Sequence, residues 1–264
     1  MTAVLTRGSR GEAASPPAAP PWRSNLVAGL AAVVLGALVW QVLSLLSDGW
    51  VPGVGEIAES SAALLVDPAF YGDAFVSLRR VLLVLVAATL IGLVIGLLAG
   101  LSRAAEAFLR PVLVIGLAIP DPVYIILVIL VVGITETAGV VALVIAIAPL
   151  VANVVLGSVH ARDRSLDEMS RTYRFSWTDY ARHVLAWQVR PAVLAALKTS
   201  FAFSWKLVVL METMTRPDGV GARIYESFRF LRPQDMIAYA LLFTVLMRVV
   251  EVLALRGLER SHTP

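Results

Sequence analysis

The sequence VLLVLVAATLIGLVIGLLAGL occupies residues 81–101 and contains no charged side chain. A bilayer core of ~30 Å is crossed by about 20 helical residues. We therefore predict that this stretch is a transmembrane helix, and the rest of the chain is interpreted outward from it. Residues 26–46 and 137–159 are similarly long and also lack charged side chains.

Three further stretches of sufficient length are less regular. Residues 111–135 contain Pro120-Asp121-Pro122, and proline cannot donate the backbone hydrogen bond of a continuous helix. We expect a break there, with the freed backbone groups facing protein or water, because lipid offers them no partner. Residues 191–213 and 236–255 are apolar but include charges: Lys198, Lys206 and Glu212 in the first, Arg248 and Glu251 in the second. Six transmembrane helices are therefore predicted.

The composition of the whole chain is that of a membrane protein. Of the 264 residues, 58% are hydrophobic and 16% are charged, and the mean hydropathy is +0.81. Soluble proteins average roughly 45–50% apolar and about 25% charged residues, so the fold class is predicted to be all-α and polytopic. The absence of cysteine excludes disulfides, thiolate metal sites and cysteine nucleophiles. Basic residues in a membrane chain are first of all topology signals, and nucleic acid is not expected as a partner.

The segments outside the spans predict the orientation. Residues 1–24 contain paired prolines and no periodic apolar pattern, which predicts a disordered tail before a membrane domain at 25–264. With the N-terminus in the cytoplasm, cytoplasmic segments carry about twice as many Lys and Arg residues as the opposite side, where Arg79 and Arg80 are counted. Both termini are therefore predicted to be cytoplasmic. On the opposite side, residues 56–66 predict a short amphipathic surface helix.

Residues 160–190 form a long hydrophilic segment that is predicted to be cytoplasmic. Ser165 and Glu168 fit a capping box, in which the serine oxygen accepts an amide hydrogen bond and the glutamate reaches back to the cap. Asp167 and Arg171 are four residues apart and are expected to pair along the same helix. The first part of the segment is therefore predicted to be a helix that begins at Ser165.

A second helix is predicted to follow at once. Ser176 is a favourable N-cap, so two short helices are expected to meet at residues 174–175. Pro191 is expected in the first turn of the next membrane helix, where proline is tolerated. Four bulky aromatic residues lie in this charged stretch: Tyr173, Phe175, Trp177 and Tyr180. They favour a docking surface for a partner; burial against the protein's own helices or lipid headgroups is the alternative.

The residues of this segment carry a resemblance. The sequence EMSRTYR at 168–174, followed by Trp177 and Pro191, resembles the EAA loop of binding-protein-dependent ABC importer permeases. The wider match is to permeases of the sulfonate, nitrate and taurine uptake family, through LRRV at 78–81, GLLAGLSR at 96–103, Glu212, and GVG at 219–221. This chain departs from the family's pattern at two places. Arg174 stands where the family has a glycine, and Ala186-Trp187 stands where it has a Leu-Pro pair. If the turn needs a left-handed residue, arginine costs roughly 1–2 kcal/mol relative to glycine.

The resemblance implies a type I importer permease with six helices in the bacterial cytoplasmic (inner) membrane. Two permeases, as a homodimer or with a paralogous chain, would enclose a pathway. Two ATPase subunits would bind ATP and Mg and dock beneath residues 160–190, and an extracytoplasmic solute-binding protein would deliver a small anion such as a sulfonate, taurine or nitrate. The residues implied in ATPase coupling are Glu168, Met169, Ser170, Arg171, Arg174, Phe175 and Trp177.

The sequence contains no recognisable motif for nucleotide hydrolysis, metal binding or catalysis. A Walker A loop needs Gly-Lys followed by Ser or Thr, and the two lysines, Lys198 and Lys206, follow Leu197 and Trp205. The histidines do not form a metal-ligand spacing. We therefore expect no catalytic residue, no metal and no cofactor in this chain, and ATP hydrolysis by a separate subunit.

The candidate pathway residues lie in the charged spans. Lys198, Trp205 and Glu212 recur every seven residues and share one helical face, and charges within the membrane usually face a bundle interior or a water-filled cavity. Alternatively, Lys198 and Glu212 snorkel to the two ends of their helix. The remaining candidates are Lys206, Asp121 at the helix break, which could instead cap the second half-helix, and Gly219 and Gly221, which the resemblance places near the outer gate. Arg248 and Glu251 are expected to pair.

Two other functions are compatible with these residues. A secondary transporter or channel would use the charges within the membrane as coupling groups without ATP. A non-transporting membrane scaffold would use the aromatic segment to hold a soluble partner.

Overall fold

The computed structural model describes residues 22–47, 49–216 and 218–260. The described residues contain helices and turns and no strand. Of the predicted disordered tail at 1–24, residues 1–21 lie outside the described residues, whereas 22–24 already belong to the first helix. The chain divides into two compact units, residues 1–54 and 55–264.

The first unit contains α1 (Trp22–Leu46), in which Ala28–Leu46 is long and apolar enough to cross a membrane. The turn after it folds back on the helix. The Trp40 indole donates to the Pro52 carbonyl at 2.9 Å, and the Val54 amide donates to Gln41 Oε1 at 3.0 Å. These two bonds satisfy polar groups beside an apolar span, where an unpaired group is costly.

The second unit contains the remaining helices. They are α2 (Val54–Val66), α3 (Pro68–Leu101), α4 (Arg103–Ala118), α5 (Asp121–Val132), α6 (Glu136–His160), α7 (Arg164–Thr172), α8 (Trp177–Tyr180), a π-helical turn (Ala181–Leu185), α9 (Ala186–Thr215), α10 (Val220–Arg229) and α11 (Pro233–Arg260). The short helix predicted at 56–66 is therefore present as α2. Arg79 and Arg80, expected in a loop, lie inside α3, because Asp67 caps that helix through the Ala69 amide and Pro68 starts it.

Five single helices among the described residues could cross a membrane: Ala28–Leu46, Pro68–Leu101, Glu136–His160, Trp177–Thr215 and Pro233–Ala254. The bent pair α4–α5 forms a sixth span if it is counted as one, with 102° between its halves. This agrees with the prediction of six spans, one of them broken at Pro120-Asp121-Pro122.

Proline causes the break between α4 and α5 and leaves one carbonyl without its usual partner. In a continuous helix, Gly116 O would accept from the amide of residue 120, which is proline and has none. The Tyr124 hydroxyl donates to Gly116 O instead, at 2.8 Å. A side chain of α5 thus satisfies the carbonyl that the bend exposes, as an apolar environment requires.

The most extensive contact between two helices of the second unit is that of α3 with α6. Gly92, Gly96 and Gly100 on α3 face Val151, Val155 and Val159 on α6. A Cβ atom at Gly96 would lie 2.6 Å from the Ala152 carbonyl oxygen and 2.7 Å from the Val155 Cβ. Small residues at four-residue spacing let two membrane helices approach closely and gain van der Waals contact.

Candidate functional sites at the two ends of the spans

Helix α7 begins two residues earlier than the capping box predicted. Its N-cap is Asp163, whose Oδ1 accepts from the Ser165 amide at 2.8 Å. Hydrogen bonds from Ser165 hold the pKa of Asp163 below its ordinary value. The prediction that Ser165 caps the helix is wrong, because the charged acceptor two residues upstream takes its amide.

The junction between α7 and α8 is a Schellman motif. The Phe175 amide donates to Ser170 O at 2.9 Å, the Arg174 amide donates to Arg171 O at 3.0 Å, and Arg174 has φ of +53°. This left-handed position is the one that glycine occupies most often. The predicted meeting of two helices at 174–175 is confirmed, and so is the second cap, since Ser176 Oγ accepts from the Asp179 amide at 3.2 Å.

Asp167 joins three elements at this junction instead of pairing with Arg171. Its Oδ2 accepts from Arg162 Nε at 2.8 Å and its Oδ1 from the Tyr180 hydroxyl at 2.7 Å, while Arg162 also donates to Val159 O at 2.8 Å. Burial raises the pKa of Asp167, but the hydrogen bonds from Tyr180 and Arg162 outweigh it and leave that pKa lowered. The end of α6, α7 and α8 are thus tied through one carboxylate.

A cleft of about 370 Å³ opens beside this carboxylate; its lining is Leu101, Arg162, Asp167, Ser170, Arg171, Phe175, Trp177 and Tyr180. Trp177 and Tyr173 are exposed over 63% and 73% of their surface, and Phe175 is also exposed. Glu168 and Met169 are exposed, whereas Ser170 is buried and donates to Asp167 O at 2.7 Å. The aromatic residues therefore form an outward surface, with Ser170 beneath it.

The helix after this surface is longer than predicted. α8, the π-helical turn and α9 follow one another without a gap from Trp177 to Thr215, and Pro191 lies inside α9. The expectation that Pro191 occupies a first turn is wrong, because Ser176 starts the helix earlier and the π-helical turn carries it onward.

A second polar site lies at the other end of α9. We define the polar clamp as Asp73, Ser77 and Arg80 of α3, Glu212 of α9, and Asp218 in the loop before α10. Arg80 Nη1 donates to Glu212 Oε1 at 2.7 Å, and Arg80 Nη2 donates to Asp218 Oδ1 at 2.8 Å. The side chains of both Arg80 and Glu212 are 0% exposed. Glu212 therefore does not snorkel; it is paired inside the protein.

The polar clamp also caps α10. Helix α10 has no capping side chain of its own, since its N-cap is Gly219 with φ of +95°. Its first amides donate to other helices: Gly219 to Asp73 Oδ1 at 3.1 Å, Val220 to Ser77 Oγ at 2.9 Å, and Gly221 to Glu212 Oε2 at 2.9 Å. These are the orphan donors that every helix start presents. A Cβ at Gly221 would lie 2.2 Å from Val209 O, so no other residue fits this approach.

Further ion pairs surround the polar clamp. Arg223 Nε donates to Asp73 Oδ2 at 2.8 Å and its Nη1 to Glu226 at 2.7 Å, and these hydrogen bonds to the two carboxylates raise the pKa of Arg223. Burial of Asp218 raises its pKa, but the hydrogen bonds and positive charges of Arg80 and Arg216 together outweigh burial and leave that pKa lowered. Of these residues, the sequence predicted Glu212, Gly219 and Gly221 as candidates and missed Asp73, Ser77, Arg80 and Asp218. For the three residues of α3, the available signal was their spacing of four and then three residues on one face.

The remaining predicted residues lie elsewhere on the spans. Trp205, two turns before Glu212, packs edge-on against Phe243, and the exposed Lys206 places its Nζ 5.7 Å from the Trp205 ring centre. Lys198 is half-buried. Asp121 is the first residue of α5 and Pro120 is its N-cap, so Asp121 is not the cap. Arg248 and Glu251 pair at 2.8 Å, as predicted.

Comparison with known proteins identifies a matching family model and related transport permeases. A family model described as binding-protein-dependent transport system inner membrane component matches residues 89–258. SsuC of Bacillus subtilis, named as an aliphatic sulfonates transport permease, is 27% identical over 244 residues, covering 91% of this chain and 86% of that protein. The taurine transport system permease TauC of Escherichia coli is 25% identical over 247 residues, covering 91% and 89%.

A solved structure shows the same fold. The crystal structure of an amino acid ABC transporter with histidines aligns with a TM-score of 0.60 at 22% identity, covering 74% of this chain and 94% of that one. A family match over more than half of the chain, a multi-helix membrane fold and this structural likeness agree. The chain belongs to the binding-protein-dependent transport system inner membrane components, the multi-pass permease subunits of ABC importers, which work with a separate ATPase and a binding protein.

Proposed function

We propose that this permease carries a small anionic solute across the bacterial inner membrane, with residues 160–190 in the cytoplasm as the docking site for the ATPase. The observation that supports this most directly is the exposed aromatic surface built on the Schellman junction. Phe175 and Trp177 line the cleft beside Asp167, and Tyr173 is exposed next to them. On a merely solvated loop, exposed side chains would be expected to be polar. Exposed aromatic residues beside arginines are typical of an interface core.

The assembly that this requires has two permeases, identical or paralogous, and two ATPase subunits that hold ATP and Mg. A solute-binding protein acts on the opposite side, and both termini are cytoplasmic. Glu168, Met169, Arg171 and Arg174 flank the aromatic surface and contact the ATPase, while Ser170 supports the junction from beneath.

An anionic substrate is supported by charge and by the relatives. Lys206 is exposed in the middle of an apolar helix, where a cation is costly unless it faces water or a partner. The named substrates of SsuC and TauC are aliphatic sulfonates and taurine, which carry a sulfonate group. We therefore assign Lys206, with Lys198 and Trp205 on the same helix, to the translocation pathway, together with Asp121 at the bend.

Co-purification tests the docking site. The chain is expressed with the ATPase subunit of the same transporter, and the complex is isolated through a tag on the permease. We expect the complex to form and to hydrolyse ATP faster when loaded binding protein is added. Glu168→Lys is expected to abolish that stimulation, whereas Glu56→Lys, which inverts a carboxylate on α2, leaves it unchanged. Solute uptake that follows an ion gradient without any ATPase would overturn the proposal in favour of a secondary transporter.

A further inference from the structure

The polar clamp connects three helices more rigidly than their apolar contacts alone would. Glu212 receives hydrogen bonds from Arg80 and Ser77 of α3 and from the Gly221 amide of α10. Sliding α9 past either neighbour would strand a charge that is 0% exposed, and breaking a buried ion pair is strongly destabilising because it leaves an uncompensated charge inside the protein. At this end, α3, α9 and the start of α10 therefore move together.

The N-terminal end of α9 lies within residues 160–190. The helical run Trp177–Thr215 has 39 residues, which corresponds to about 58 Å at 1.5 Å per residue. Trp177 lines the cleft beside Asp167, and Glu212 lies in the last turn of the same helical run. One helical element thus connects the proposed docking site with the polar clamp.

The irregular part of this run lies near the docking site. The π-helical turn Ala181–Leu185 and Pro191 both fall in its first half, and such features are where helices bend. The half that reaches Glu212 contains no proline or π-helical turn. A displacement at residues 160–190 can therefore bend the helix near its start, while its far half transmits motion as a rigid body.

From these contacts we propose that Asp73 and Ser77 of α3, together with Glu212 of α9, are positioning residues that hold the start of α10 to both helices, so that nucleotide-driven movement at residues 160–190 is delivered to α10. This inference rests on the proposed docking of an ATPase at that segment. It assigns a role to Asp73 and Ser77, whose acceptor atoms hold the Gly219 and Val220 amides.

The experiment follows α10 with a single cysteine, which is possible because the natural chain has none. Phe228→Cys places the label on α10 at an exposed position. The purified complex with its ATPase is treated with a water-soluble maleimide, without nucleotide and with a non-hydrolysable ATP analogue. We expect the labelling rate to differ between the two states by at least about fivefold, the low end of energetic coupling between sites.

The test variant is Asp73→Ala/Ser77→Ala in the Phe228→Cys background. It removes two of the three acceptors at the start of α10 and leaves the Arg80–Glu212 pair intact, while Arg223 retains Glu226. We expect the ATPase to co-purify and hydrolyse ATP as before, and the difference between the two labelling rates to shrink to a small remainder, because only the Gly221 amide still bonds to Glu212. Arg248→Gln, which breaks an exposed pair on α11, is the matched control and keeps the difference.

A milder variant covers the case in which the double substitution fails to fold. Ser77→Ala alone removes one acceptor and is expected to reduce the difference in labelling by about half. A nucleotide-dependent difference that persists unchanged in either folded variant overturns the inference, as does a parent complex whose position 228 labels equally in both states. A parent chain that binds no ATPase contradicts the proposed function instead, so the two failures are distinguishable.

Discussion

Arg174 and Leu231 share an unusual backbone conformation. Each has φ of +53°, and they are the only non-glycine residues with positive φ in the described part of the chain. Each follows a helix in a Schellman motif: Phe175 donates to Ser170 O after α7, and Arg232 donates to Ser227 O after α10, both at 2.9 Å. A side chain in the left-handed region costs roughly 1–2 kcal/mol. Both junctions therefore hold backbone strain: one lies just before the helical run Trp177–Thr215, and the other lies at the end of α10.

Arg174→Gly is predicted to stabilise the α7–α8 junction. Relief of the left-handed strain exceeds the greater unfolded-state entropy of glycine, which leaves a net gain of about 1 kcal/mol. We expect hydrogen exchange of the Phe175 amide to slow by about fivefold, since local opening sets that rate. Leu231→Gly is the matched control and slows exchange only at the α10–α11 turn. Faster exchange at Phe175 in the Arg174 variant would contradict the strain argument.

Asp167 gives the same junction a predictable response to acid. Its pKa is lowered in the folded protein, so its stabilising contribution is full above the ordinary aspartate pKa of about 3.9 and is lost as the pH falls through the lower folded value. At pH 6 we expect Asp167→Asn to be cleaved within residues 160–190 faster than the parent by an acid-tolerant protease. Below the ordinary pKa of about 3.9 the difference should shrink, and it should vanish once the pH lies below the lowered folded pKa of Asp167. A difference that stays constant over this range would show that the charge of Asp167 does not matter.

The contact between α3 and α6 is expected to stabilise the helix bundle. Two glycines of α3, Gly96 and Gly72, provide the test variant and its control. Gly96→Ala forces a Cβ against the Ala152 carbonyl oxygen and Val155, and overpacking of this kind costs about 1–3 kcal/mol. Gly72→Ala lies in the same helix with nothing within 4 Å and is expected to be neutral or stabilising by up to about 1 kcal/mol. Thermal unfolding in detergent measures both. Equal melting temperatures for the two variants would mean that the helices can separate without cost.

Local sequence predicted the elements better than it predicted the contacts between them. The six spans follow from apolar length, and the bend follows from Pro120, because both depend on neighbouring residues only. The polar clamp could not be predicted in this way. Arg80 and Glu212 are 132 positions apart, and nothing in the spacing of either helix indicates that they meet. The cap of α7 differs from the prediction for a related reason: Ser165 and Asp163 both fit a cap locally, and the backbone geometry decides for Asp163.

For the whole molecule, the argument depends on which side of the membrane each site faces. The aromatic surface precedes α9, and α10 follows it, so a single crossing separates the two. If α9 spans the bilayer, the docking site and α10 must face opposite sides. The excess of Lys and Arg in segments on the side of residues 160–190 favours the cytoplasm for that side.

Cysteine labelling in intact cells tests this orientation. Because the chain has no cysteine, Met169→Cys and Phe228→Cys each provide one reactive thiol at an exposed position. A membrane-impermeant maleimide is expected to label Phe228→Cys in intact cells and Met169→Cys only after permeabilisation. ATP is available only in the cytoplasm, so an ATPase can act only on a surface that faces it. Labelling of Met169→Cys from outside would leave the aromatic surface with no ATPase to bind, and the importer mechanism would be wrong for this chain even though its helices were correctly identified.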